Sequence, residues 1–156
     1  MSGQCGHPCD VDTTTCLNSR PTGCFQCAND NGCIDSTQFV GTCEQVSGTA
    51  PAACSSVVGS ASTPSETRVC LQTLKTVFES ACAADGQLTP CLCGMTNPTD
   101  CQTGAVTPDG PGYPVYACDF GSDINQITSN FTIQTYGAGN ANAMVQCVAS
   151  FGCNCF

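Results

Sequence analysis

The sequence predicts a small disulfide-rich protein that is mostly α-helical with irregular loops. Three observations carry that expectation. Seventeen of the 156 residues are cysteine, a density at which composition alone points to a disulfide scaffold. Two segments repeat apolar residues at helical spacing. The stretches between them are punctuated by glycine, proline and asparagine turn signals.

Composition divides the chain into three regions. Residues 1–45 read as a Cys-rich loop module, with cysteines at 5, 9, 16, 24, 27, 33 and 43 among turn formers such as His7-Pro8, Arg20-Pro21 and Asn31-Gly32. Residues 46–63 are small, polar and uncharged, a linker by composition, with Cys54 inside them to pin it. Residues 64–156 form a helical Cys-rich module with the other nine cysteines, and the three regions are allowed to pack as one domain.

In this last region Thr63-Pro64-Ser65-Glu66 has the form of a capping box with proline at the first helical position. Cys70, Leu74, Val77, Phe78 and Ala81 follow on one face, and Gly86 offers a left-handed stop, so a helix is expected over 64–84. Five prolines between 90 and 117 and the absence of a periodic pattern predict a loop held by Cys91, Cys93, Cys101 and Cys118. Residues 123–136 fit either a short helical turn through Ile124, Ile127 and Phe131 or a strand from Phe131 to Tyr136. Near the C-terminus Ala141, Met144, Val145 and Val148 predict a helix over 140–151, with Asn140 as cap and Gly152 as stop.

Charge and cysteine content exclude several classes. Disulfides at this density persist in an oxidising compartment, so an extracellular or cell-surface location is expected, with a signal peptide removed from this numbering. The formal charge is −9, with Arg20, Arg68 and Lys75 the only cations besides His7. Three scattered cations cannot make the basic footprint that nucleic acid or an anionic membrane surface requires. No stretch approaches the roughly 20 apolar residues of a membrane span. Charged residues are 10% of the chain. A neutral exterior of Thr, Ser, Asn, Gln and Gly is therefore expected, which suits hydrogen bonding to glycans or to further copies of the chain.

No catalytic motif is present. Cys24-x-x-Cys27, Cys91-x-Cys93 and Cys153-x-Cys155 have the spacing of metal knuckles or a redox pair. Adding thiolates to so acidic a chain is unfavourable without nearby cations, and structural disulfides are the preferred reading. His7 lacks the surrounding motif of a hydrolase base. Twelve acids leave room for a two-carboxylate hydrolase, but with no Trp and three Tyr a sugar-binding cleft would lack its usual stacking platform. Asp10 with Asp12, and Asp30 with Asp35, lack the spacing of a calcium loop and read as turns. No cofactor and no metal site are expected.

The segment Cys70-x11-Cys82, Pro90-Cys91-Leu92-Cys93-Gly94, Cys101, Cys118 and Gly139-Asn140-Ala141-Asn142-Ala143 leading to Cys147 and Cys153 resembles secreted cysteine-rich domains of myxobacteria. In these a PCYCG-like core follows a cysteine-bearing helix. Leu92 stands where that family often has an aromatic. The resemblance covers about residues 68–155 and implies export and disulfides, without catalytic residues.

The functional expectation is a non-catalytic, self-assembling surface or extracellular-matrix protein, extending to a filament. The odd cysteine count supports it, with Cys5 and Cys155 as candidate free or interchain cysteines. The alternatives are a monomeric adhesion module for a glycan or an extracellular protein, a metal-thiolate protein, or a carboxylate-dependent hydrolase.

Overall fold

The computed structural model describes residues 6–60 and 62–156. Nine α-helices are present among them: α1 (Thr13–Asn18), α2 (Cys24–Asp30), α3 (Cys54–Val58), α4 (Glu66–Ser80), α5 (Thr89–Cys93), α6 (Pro98–Thr103), α7 (Tyr113–Phe120), α8 (Ile124–Asn130) and α9 (Gly137–Ser150). Short 3-10 turns at Pro8–Asp10 and Cys43–Gln45 complete the order. Among the described residues the extended pairing is one antiparallel bridge, Thr49 to Ser65. The mostly helical, disulfide-rich class is as expected.

The frame is the pair α4 and α9, against which α1, α2, α3, α7 and both 3-10 turns gather, while α5, α6 and α8 pack chiefly on one another and on α7. Ser65 rather than Thr63 caps α4, its Oγ accepting from the Arg68 N–H at 3.1 Å, so the helix starts two residues later than the capping-box reading. It ends at Ser80 because Ala81 takes the left-handed conformation (φ 55°), and Ala81 is exposed. The buried face is wider than the sequence stripe: Val69, Leu71 and Thr73 are buried beside Cys70, Leu74, Val77 and Phe78. Neighbours on both sides of α4 account for that width, since α9 lies along it and the N-terminal turns pack beside it.

Helix α9 begins at Gly137, three residues before the expected start. Asn140 is therefore an interior residue, 2% exposed, whose Nδ2 donates to the Gly41 carbonyl at 2.9 Å. The run of small residues has a steric cause. A Cβ on Gly137 would sit 2.1 Å from the Glu66 carbonyl oxygen, and one on Gly139 would sit 2.0 Å from that of Ile133. Gly152 (φ 67°) stops the helix as read, with the Cys153 N–H returning to Val148 O at 2.9 Å.

The proline-rich stretch is a correction. Residues 90–117 hold α5, α6 and the start of α7, each with proline in its first turn: Pro90, Pro98 and Pro114. Proline at that position lacks only an N–H that would have no intrahelical acceptor, and its φ already suits the helix. The ambiguous 123–136 segment is helical in its first half, as α8. Region 1–45 likewise contains α1 and α2 where only loops were expected.

Eight disulfides pair sixteen cysteines: 9–16, 24–155, 27–153, 33–147, 43–70, 54–118, 82–91 and 93–101. Four of them join residues 1–45 to residues 64–156, so these regions share one buried cluster. The 46–63 segment is a closed excursion rather than a linker. Its ends are tied by Ala50 N–H to Pro64 O (2.9 Å) and Glu66 N–H to Gly48 O (3.0 Å), and Cys54 in α3 bonds to Cys118 in α7.

Candidate binding groove

On helix α9 Ala143, Gln146 and Ser150 share one stripe, at the i, i+3, i+7 spacing of a single helical face, with Ala143 buried and Gln146 and Ser150 exposed. Opposite that stripe lies the loop 33–40, which is built locally. The Asp35 carboxylate accepts from the Thr37 N–H (3.0 Å) and the Thr37 hydroxyl (2.7 Å). These two bonds hold the Asp35 carboxyl below its usual pKa, the hydroxyl contributing most. The Asp35 carbonyl then receives the N–H groups of Gln38 and Phe39, and the Val40 N–H closes onto Gly32 O at 3.1 Å. Gly32 is required here. Its φ is 74°, and an added Cβ would lie 2.8 Å from the Gln38 Cβ and 2.9 Å from the Phe39 ring.

Between loop and helix runs an open groove of about 460 Å³. Phe39 and Phe151, one from the loop and one from the end of the helix, both line it and meet as an aromatic pair, ring centroids 6.3 Å apart and planes tilted by 40°. They are 58% and 48% exposed. Gln38, Gln134, Gln146 and Ser150 also line it, and none of its lining residues is charged. Its walls are fastened at two points: the Cys33–Cys147 disulfide joins loop to helix, and Gln134 Nε2 donates to the Phe39 carbonyl at 3.1 Å.

The exposed rings come from residues the sequence reading did not single out. Tryptophan is absent, and Tyr116 and Tyr136 pack with Phe120 and Phe131 in an internal cluster. Two phenylalanines 112 positions apart in sequence provide the exposed rings instead. Nothing local in Gln38-Phe39-Val40 or Ser150-Phe151-Gly152 marks them as partners. Their one sequence signal is a large apolar residue set among turn formers, outside either helical stripe.

The acids come together elsewhere. The Glu66 and Asp119 carboxyls meet beneath the N-terminus of α9, where Tyr136 provides no side-chain cap, and Asp119 Oδ1 is buried there without a donor from the described residues. Glu66 Oε2 accepts from the Gly137 N–H (2.7 Å) and Asp119 Oδ2 from the Ala138 N–H (3.0 Å). Two of the N–H groups that every helix leaves without intrahelical acceptors are met in this way. Burial pushes the Glu66 carboxyl up to about 7, the Gly137 N–H opposes that, and the nearby Asp119 carboxyl adds to it. Burial also raises Asp119. Two carboxyls in such contact share a proton rather than both ionising. Glu66 is 6% and Asp119 4% exposed, so neither reaches a cleft as a carboxylate-dependent hydrolase would require. The pair caps a helix.

The other candidates are accounted for as follows. Cys155 is fully buried and bonded to Cys24, which corrects its assignment as a free or interchain cysteine. Its chain-end position suggested access, but Arg20 Nε donates to its carbonyl at 2.8 Å and the guanidinium lies over Phe78, 4.8 Å from the ring centroid. Cys5 lies outside the described residues. The short cysteine pairs bond outward to other segments, never within a pair. That removes the thiolates a metal-thiolate site would need. Among the described residues no group of three or more His, Cys, Asp or Glu side chains is placed to hold a metal.

His7 stands against the N-terminal turn, its Nδ1 accepting from the Cys9 N–H at 3.1 Å and its Nε2 3.2 Å from Glu79. Asp12 caps α1 by accepting from the Thr15 N–H at 2.7 Å, which holds its carboxyl below the usual value. Asp10 pairs with Lys75 at 3.3 Å, and Arg68 donates to the Asp10 carbonyl at 3.0 Å. All three Lys and Arg side chains thus hold the chain to itself.

No protein-family model, no curated protein and no solved structure matches the chain. The dense disulfides are consistent with a secreted or extracellular disulfide-stabilised protein, and no helix of the described residues is long and apolar enough to cross a membrane.

Proposed function

We propose that the protein is a secreted, non-catalytic binding module whose working surface is the groove between Phe39 and Phe151. The single observation that carries this reading is the pair of half-exposed rings fixed across a groove whose walls are joined by a disulfide. Exposed apolar side chains gathered at a rigid concavity mark a ligand site, whereas single ones are ordinary surface. Val11, Met95 and Val106 are exposed as well, but they do not line the groove. The resemblance to secreted cysteine-rich domains of myxobacteria supports an exported module of this kind.

The self-assembling reading, a subunit of a surface or matrix filament, loses one of its two cysteine candidates because Cys155 is engaged within the chain. It keeps the weakly charged polar exterior as support. One experiment separates the two readings. The disulfide-bonded protein is sized without reductant across a concentration series, and its retention on insoluble extracellular glycans and on protein matrices is measured. A binding module stays monomeric and is retained on one of these materials, with retention lost in Phe39→Ala and Phe151→Ala. Polymers visible by electron microscopy, or retention indifferent to both substitutions, would overturn it.

A further inference from the structure

Taking the groove as the binding surface, we infer that its ligand is an electrically neutral polysaccharide. The inference rests on the binding-module reading and names the class of molecule the groove takes.

Charge is the first discriminator. A chain of formal charge −9 repels acidic glycans and nucleic acid at a distance. The cations that would reverse this locally, Arg20, Arg68 and Lys75, are absent from the groove and held elsewhere. No carboxylate lines the groove to recruit a basic peptide or polyamine, and the nearby Asp35 is engaged by Thr37 and, at 3.5 Å, by the Gln38 amide. What remains fits an uncharged ligand.

The donor set is the second discriminator. Gln146 and Ser150 are exposed, and among the described residues their side chains make no hydrogen bond within the protein. Amides and hydroxyls of this kind both donate and accept, which matches the hydroxyl and acetamido groups of a sugar. The two rings, in contact with each other and about half exposed, supply an apolar surface for the C–H side of a pyranose.

A protein partner would want a different surface. Protein interfaces depend on a desolvated apolar centre within roughly 1,000 Å² or more of buried area. Here the apolar part is one pair of rings in contact, and the rest of the lining is largely amide and hydroxyl. The groove is also open along its length, as a polymer requires. Fixing its walls by the Cys33–Cys147 bond and the turn at Asp35 removes ordering that binding would otherwise have to supply.

The test uses the full disulfide-bonded chain and amide NMR titration with soluble neutral oligosaccharides: β-glucans, N-acetylated chito-oligosaccharides, xylans and mannans. Heparin and a polylysine serve as charged controls. At least one neutral sugar is expected to shift resonances of residues 38–40, 132–134 and 146–151 saturably, with Kd of about 0.1–1 mM and no dependence on salt. Phe151→Ala and Phe39→Ala should each weaken it about tenfold or more while leaving the disulfide pattern and circular dichroism unchanged. Gln146→Ala should weaken it severalfold.

No groove shift with any neutral sugar, or shifts indifferent to these substitutions, overturns the inference. Retention on a protein matrix that is lost in Phe151→Ala, with no sugar binding, sinks the polysaccharide and keeps the binding-module reading. Self-association abolished by Phe151→Ala makes the groove a contact between copies and sinks both.

Discussion

Glu66 occupies the first position of α4, where an acid would ordinarily favour its own helix N-terminus, yet its carboxyl reaches across to the N-terminus of α9. Its raised pKa has a definite consequence for stability. The native pair holds its proton up to about pH 7, whereas an unfolded glutamate loses it near 4.5. The folded state therefore binds more protons across that window, and stability falls as pH rises through it. The loss is on the order of 2 kcal/mol. The depressed groups Asp12 and Asp35 act with the opposite sign: their contribution is present above 3.8 and is lost as pH falls below it. Unfolding followed by circular dichroism should show greater stability near pH 5 than at pH 7.5. Glu66→Gln keeps an acceptor for Gly137 and a donor for Asp119 while removing the shared proton, so most of that difference should disappear. An unchanged pH profile in the variant would refute the assignment. Tyr116 offers a second check, since its hydroxyl donates to Asn142 Oδ1 at 2.9 Å with the phenol fully buried. Tyr116→Phe leaves that oxygen unpaired and should cost about 1–3 kcal/mol in denaturant unfolding.

At the scale of elements, the contact between α4 and α9 depends on a missing side chain. Gly137→Ala places a methyl against the Glu66 backbone, which cannot move aside as a flexible side chain would. A loss of about 3 kcal/mol or more is expected in the same measurement. Gly32→Ala acts locally instead. It strains a left-handed residue and displaces Gln38 and Phe39, so ligand retention should fall while the disulfide pattern is kept. Four helix starts carry a side-chain cap of the usual kind: Asp12, Ser65, Asn97 and Asp123 accept backbone N–H groups. Helix α9 lacks one, as do α2, α3, α5 and α7, but it alone among the long helices is capped from outside. Its first residues must be small for the close crossing, and its cap comes from two other helices.

At the scale of the molecule, the disulfides are ordered. Cys24, Cys27 and Cys33 bond to Cys155, Cys153 and Cys147, an antiparallel ladder clamping α2 and its exit loop to the end of α9. One bond across so long a loop restricts the unfolded chain by about 4–5 kcal/mol in the chain-entropy picture. Once it is formed, the adjacent rungs close only short loops and contribute less, so the three are not additive. Peptide mapping of the non-reduced protein should recover a cross-linked fragment joining Cys24 and Cys27 to Cys153 and Cys155. Cys91 should be found with Cys82, and Cys93 with Cys101. A bond within Cys24–Cys27 or Cys153–Cys155 would refute this arrangement. Replacing Cys33 and Cys147 together with serine should leave the other rungs intact and loosen the groove, lowering retention more than it lowers stability.

The sequence by itself determined the disulfide-stapled, mainly helical class and the cores of α4 and α9. These depend on cysteine density and on apolar spacing, both of which are local. It also limited the cations to three Lys and Arg side chains and one His, because charge is counted along the chain whatever the fold. The tertiary structure decided the rest. Prolines that read as breakers start α5, α6 and α7, since proline is neutral in a first turn and only context tells a first turn from an interior. Cysteine partners are set by which segments meet, so adjacency suggested pairs that the fold did not make. The capping of α9 by Glu66 and Asp119, and the meeting of Phe39 with Phe151, join residues far apart in the chain. Such contacts leave no periodic trace, because their geometry is fixed by the packing of whole elements and not by the spacing of residues within one.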